Sequence, residues 1–132
     1  MARIGPRIYL ALVWLYLAGI VVQTFLAGAA LFSPGGSFEA HRNLGWILHL
    51  APVLLLVVAA VGRVGRNLVW WTVALLVVQG IQPLLPGLKS DLPWLAALHP
   101  VLALAIFWLA LTIGLKAWRL VRAAGPASAQ GA

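Results

Sequence analysis

Four long apolar stretches, at about residues 8–32, 38–61, 68–85 and 92–122, leave this chain almost no choice of fold. A helix needs roughly 20 apolar residues to cross the hydrocarbon core of a bilayer, and each stretch meets or approaches that length. In lipid every backbone polar group must be satisfied within the chain, so such stretches form helices rather than loops or open sheet. The breaks between them are short and built from helix-stopping residues: Ser33-Pro34-Gly35-Gly36-Ser37, Gly62-Arg63-Val64-Gly65-Arg66-Asn67 and Pro86-Gly87-Leu88-Lys89-Ser90-Asp91. Pro93 suits the first turn of the fourth helix. Only 8% of the residues are charged and the mean hydropathy is +1.03, whereas soluble domains carry about 25% charged residues. The expected fold is all-α: an integral membrane four-helix antiparallel up-down bundle. Residues 1–132 form a single transmembrane domain in this reading, with a disordered tail at 123–132.

The net charge of +7 does not signal nucleic acid, because the basic residues sit at helix ends rather than on one face. Arg3, Arg7, Arg63, Arg66, Lys116, Arg119 and Arg122 fall on one side of the expected bundle. Arg42 and Lys89 fall on the other, offset by Glu39 and Asp91. Basic residues collect on the cytoplasmic side of membrane proteins, so both termini are expected there. Tyr9, Trp70, Trp71 and Trp118 then mark the inner interface, and Phe38, Trp46 and Trp94 the outer one. The expected location is the plasma (inner) membrane of a bacterium or archaeon. The start resembles a secretory signal, with Ala27-Gly28-Ala29 in place of a cleavage site. Its apolar run exceeds the roughly 7–15 residues of a signal core, and a retained helix is expected. With no cysteine, the chain cannot form disulfides, thiolate metal sites, iron–sulfur clusters, a cysteine nucleophile or a covalent c-type haem linkage.

Polar groups at membrane depth are costly and mark function or helix-to-helix bonding. Short loops make sequential helices antiparallel, so the second and fourth helices run parallel and start at the same surface. His41 and His49 lie on the second, about 80° and 12 Å apart on a regular helix, with Gly45 between them and Pro52 beyond. His99 lies near the start of the fourth, with Ala103 one turn on. A histidine on each of two parallel helices, each followed by a small residue, suits a bis-histidine haem, with His41 and His99 supplying axial nitrogens. Gly45 would leave room for the porphyrin edge, and Arg42 and Lys89 would meet the propionates. His49 is the alternative partner of His99. Other readings of the same residues are a zinc or copper site of His41, His49 and His99, or plain hydrogen bonding between helices. Two stacked bis-histidine haems need four ligands, and the chain has three histidines.

Gln23, Gln79 and Gln82 are expected to bond across helices, or to line a haem or quinone pocket. Glu39 reads as a solvated helix-start residue rather than a proton-transfer group. Pro52, Pro83 and Pro100 each remove a backbone donor; Pro52 is expected to kink its helix and free the Leu48 carbonyl. The two hairpins share a loose plan, a glutamine-bearing helix followed by a histidine-bearing one.

Glu39-Ala40-His41-Arg42 resembles the Glu-x-x-His-Arg region of heme A synthase. Leu98-His99 with its apolar sequel is similar to that family's second ligand site, and Leu75-Leu76-Val77-Val78-Gln79-Gly80 to the preceding helix. Heme A synthase has two four-helix halves, and this chain corresponds to one. The resemblance implies a four-helix bundle with haem ligation by His41 and His99. Glu39 stands two residues before His41 rather than three, and the outer loop lacks the cysteine pair of many heme A synthases. The chain also resembles a group of small uncharacterised four-helix bacterial membrane proteins. That likeness runs through Gln23-Thr24-Phe25-Leu26-Ala27-Gly28, His41-Arg42-Asn43-Leu44-Gly45 and Leu98-His99-Pro100.

The resulting expectation is a small b-type cytochrome with one haem b per chain, serving electron transfer or haem handling. Its iron ligands are His41 and His99, with His49, Gly45 and Arg42 completing the candidate site; no catalytic residue is assigned. A haem-modifying enzyme acting as an oligomer and a non-haem accessory subunit are the alternatives. Expected partners are the lipid bilayer, further copies or a larger membrane complex, and a quinone or other redox partner, but no nucleic acid.

Overall fold

A computed structural model describes residues 4–124, and among these there is no strand. Helices α1 (Ile4–Phe32), α2 (Glu39–Val61) and α3 (Arg66–Ile81) are followed by a 3₁₀ turn at Leu85–Leu88. The short α4 (Pro93–Ala96) and the long α5 (Leu98–Ala123) complete the fourth span. Arg3 of the expected inner charge cluster, and the tail beyond Ala124, lie outside the described residues.

Two boundaries differ from those the sequence suggests, and proline accounts for both. α3 stops at Ile81 instead of continuing helically to residue 85. Pro83 and Pro86 cannot donate to the carbonyls four residues back, so the chain tightens into turns and 3₁₀ geometry. The fourth span breaks at Ala97, where Pro100 cannot bond to the Ala96 carbonyl. Pro100 itself sits in the first turn of α5, where no N–H is required. α1 begins at Ile4, earlier than the expected residue 8, because Pro6 is also tolerated in a first helical turn.

Each long helix turns a stripe of three- and four-residue spacing inward. On α2 it is Leu48, Pro52, Leu55 and Ala59; on α3 it is Leu68, Thr72, Leu75 and Gln79. α1 contributes Tyr9, Val13, Tyr16, Leu17 and Ile20, and α5 contributes Ile106, Ala110, Ile113 and Ala117. Such stripes pack antiparallel neighbours into a bundle. α1 and α3 each pack against both α2 and α5, so the four make a square. α1 faces α3 across one diagonal, and α2 faces α5 across the other. The square closes tightly at one corner. A Cβ on Gly5 would lie 2.5 Å from the Gly62 Cα, so α1 and the end of α2 meet backbone to backbone.

No more than 28% of any span is buried inside the bundle. The outward remainder, including Leu15, Leu50 and Leu104, is as apolar as the core. Only lipid accommodates such a surface, and the chain is a multi-pass membrane protein.

Two buried polar side chains, Thr72 and Gln79, cross the α1–α3 diagonal. The Thr72 hydroxyl donates to the Leu68 carbonyl at 2.8 Å and so accepts from the Tyr9 hydroxyl at 2.5 Å. Seven residues further along both helices, the Tyr16 hydroxyl donates to Gln79 Oε1 at 2.8 Å. The shared seven-residue step keeps both pairs on facing stripes.

Candidate functional site

His41 is the third residue of α2 and His99 the second of α5, so both imidazoles project from first turns at the same end of the bundle. Their ring centres are 6.3 Å apart, with the planes inclined at 68°. The parallel course of α2 and α5 brings them level, as the loop lengths imply.

Each ring is held by a glutamine in a reciprocal clasp, His41 by Gln23 of α1 and His99 by Gln82, the residue just past the end of α3. His41 Nδ1 donates to the Gln23 carbonyl at 3.0 Å, and Gln23 Nε2 donates back to the His41 carbonyl at 2.8 Å. His99 Nδ1 donates to the Gln82 carbonyl at 3.0 Å, and Gln82 Nε2 donates back to the His99 carbonyl at 3.0 Å. The loose plan of the two hairpins is thus the same four-atom arrangement made twice.

The clasp depends on a free carbonyl, and the sequence supplies one. Within a helix the Gln82 carbonyl would accept from residue 86, but Pro86 has no N–H. Gln79 stands in the same relation to Pro83, and its carbonyl accepts from His49 Nδ1 at 3.2 Å beside the Gln82 N–H at 3.3 Å. The pattern Gln79-x-x-Gln82-Pro83-x-x-Pro86 therefore releases two acceptors in succession, and a histidine takes each. Pro52, from which this effect is expected, does not produce it. α2 runs unbroken through Pro52, and no side chain among the described residues bonds to the Leu48 carbonyl.

A carbonyl can only accept, so Nδ1 is the donor in all three histidines, and in the neutral ring Nε2 is left as the lone pair. His41 Nε2 receives a long hydrogen bond from Gln23 Nε2 at 3.3 Å. His49 and His99 make no hydrogen bond through Nε2 among the described residues. Gln23 Oε1 and Gln82 Oε1 are buried and have no partner among the described residues. Leaving a buried acceptor unsatisfied costs about 1–3 kcal/mol. The quartet is therefore a costly way to join helices.

The other candidates fall in different places. His49 is half-buried midway along α2 and is directed to α3, with the Trp46 ring edge-on at 5.8 Å. It does not share the His41–His99 pair. Among the described residues no three histidine or acidic side chains cluster to hold a metal ion, so the arrangement does not provide the three-histidine zinc or copper site. Gly45 does not leave an open slot: a Cβ there would lie 2.9 Å from Gln23 Nε2, so the missing side chain makes room for the clasp. Arg42 and Lys89 are exposed near the histidine end. Glu39 is exposed in the first turn of α2, where its charge complements the helix dipole, and its N–H donates to Ser37 Oγ at 3.2 Å.

No characterised protein and no solved structure shows a significant match to the chain. The family of unknown function DUF6220 matches residues 23–88, half of the 132-residue chain. The matched segment opens on Gln23 of the first clasp and takes in His41, His49, Gln79, Gln82 and both carbonyl-releasing prolines. With its four apolar spans and this match, the chain belongs to the DUF6220 family.

Proposed function

We propose that this protein is a small b-type cytochrome, holding one haem b between His41 and His99 for electron transfer or haem handling. The observation that carries the reading is the His41–His99 pair. Two imidazoles that shared one iron would have ring centres roughly 6 Å apart, from two metal–nitrogen bonds of about 2 Å and half a ring beyond each. The observed separation is 6.3 Å. In both rings Nδ1 is tied to a backbone carbonyl, which in the neutral imidazole leaves Nε2 as the ligating nitrogen. Iron would replace the long Gln23 hydrogen bond at His41 Nε2.

Haem iron held by two imidazoles exchanges one electron between ferric and ferrous states. The chain's own contribution is positional. The two clasps fix ring tilt, and exposed Arg42 and Lys89 would meet the propionates. On this reading the histidine end faces outward, both termini are cytoplasmic, and the membrane is a bacterial or archaeal plasma membrane.

The heme A synthase-like alternative rests on the Glu39–Arg42 stretch. Glu39 is exposed at the helix start, which favours holding haem over oxidising it. The clasps themselves support a second reading, an accessory subunit whose histidines only join helices. The two unpaired glutamine oxygens speak against it, since apolar residues would join the same helices at lower cost.

Absorption spectra of the purified protein, oxidised and dithionite-reduced, separate these readings. A sharp Soret band and a narrow α-band on reduction, at one haem per chain, are expected. Protein that takes up no haem on reconstitution would leave only the accessory reading.

A further inference from the structure

We infer that His49 and Trp46 form a second site, open to the bilayer, that binds the hydroxyl of an apolar aromatic alcohol of the hydroquinone class. The inference stands on the geometry of α2 and α3 and does not require haem. His49 lies near the middle of α2, well inside the span, and is half-buried on the seam between the two helices. Its Nδ1 proton is committed to the Gln79 carbonyl that Pro83 released. In the neutral ring its Nε2 is then an acceptor, and no donor reaches it among the described residues.

Such a group is unfavourable at this depth. Water is absent from the bilayer core, and an unsatisfied polar atom there costs several kcal/mol. The donor that relieves it must arrive through lipid, so it must be apolar overall and carry an O–H. Trp46 narrows the class further. Its ring stands edge-on to His49 at 5.8 Å and is 61% exposed, so its surface is free for a flat ring to pack against. A hydroquinone offers both the hydroxyl and the ring, whereas a fatty alcohol offers the hydroxyl alone. The oxidised quinone has the ring but can only accept, and two acceptors do not bond.

The neighbouring residues hold His49 in this orientation. Gln79 accepts the His49 proton through its backbone and is itself fixed by the Tyr16 hydroxyl at 2.8 Å. The imidazole therefore cannot turn to offer Nδ1 without breaking its bond to the Gln79 carbonyl.

The test uses the full chain, labelled with ¹⁵N-histidine, in phosphatidylcholine nanodiscs without added haem. Decylubiquinol, decylubiquinone and dodecanol are titrated separately, and the His49 signal is assigned by its loss in His49→Phe. Decylubiquinol should shift the His49 Nε2 resonance in the direction of an accepted hydrogen bond, leaving His41 and His99 in place. Decylubiquinone should need roughly threefold higher concentration or more for the same shift, the factor expected for one hydrogen bond lost in a membrane. Dodecanol should also need more, because it lacks the ring that packs on Trp46. Trp46→Leu should weaken the ubiquinol response while leaving the His49 signal visible. Equal shifts from ubiquinol and ubiquinone, or from ubiquinol and dodecanol, would overturn the assignment, as would a response unchanged in Trp46→Leu. Because haem is absent throughout, failure here leaves the His41–His99 reading untouched, and the reverse also holds.

Discussion

His99→Ala should abolish the six-coordinate haem spectrum while leaving the bundle folded. The substitution removes one of the two Nε2 atoms proposed to hold iron. What remains is haem on His41 alone, seen as a broadened high-spin Soret band, or no haem at all. The fold should tolerate the change because half of the second clasp is backbone: Gln82 Nε2 donates to the carbonyl of residue 99, which alanine retains. The same argument applies to His41→Ala, since Gln23 Nε2 donates to the carbonyl of residue 41 at 2.8 Å. His49→Phe separates the two candidates on α2. It should retain the six-coordinate spectrum, because His49 is tied to α3 rather than facing His99. Loss of the spectrum in His49→Phe and its survival in His41→Ala would reverse the assignment.

The largest effect on stability is expected at Tyr16. Its ring is 3% exposed, and its hydroxyl crosses the bundle diagonal to Gln79. Tyr16→Ala removes a large buried aromatic ring and strands Gln79 Oε1 without a donor. Loss of a buried aromatic costs about 3–5 kcal/mol, which a denaturant titration in detergent micelles would register as a large fall in midpoint. Tyr16→Phe keeps the ring and loses only the hydrogen bond. Single hydrogen bonds within membranes average about 0.6 kcal/mol and rarely reach about 1.7, so this variant should sit close to the parent. Equal costs for the two variants would mean that the ring's packing contributes nothing, contrary to its burial in the core.

The architecture was legible because lipid imposes simple rules. Span length, breaker segments and short loops sufficed to expect four helices, with α2 and α5 parallel and His41 level with His99. The polar chemistry was harder to read because it depends on single backbone atoms. Gly45 was expected to make room for a porphyrin edge, and it makes room for the Gln23 amide instead. Glycine marks where something approaches the backbone, but composition does not say what. Pro52 was expected to release a carbonyl for use, yet the carbonyls taken are those freed by Pro83 and Pro86. The signal was present, since Gln79 and Gln82 each precede a proline by four residues. Its meaning depended on which helix face α3 turns toward α2 and α5, and that is fixed by packing. The choice between His41 and His49 was open for a similar reason. An 80° difference around a helix decides the neighbour, and helix ends read from sequence are uncertain by about 2–4 residues, a larger rotation than that.

Electron paramagnetic resonance of the ferric, haem-reconstituted protein, with hyperfine analysis after labelling histidine Nε2 with ¹⁵N, addresses the two-imidazole iron most directly. A low-spin signal coupled to two labelled nitrogens, losing one in His41→Ala and one in His99→Ala, is the predicted result. A high-spin signal, or coupling to a single nitrogen, would contradict the account.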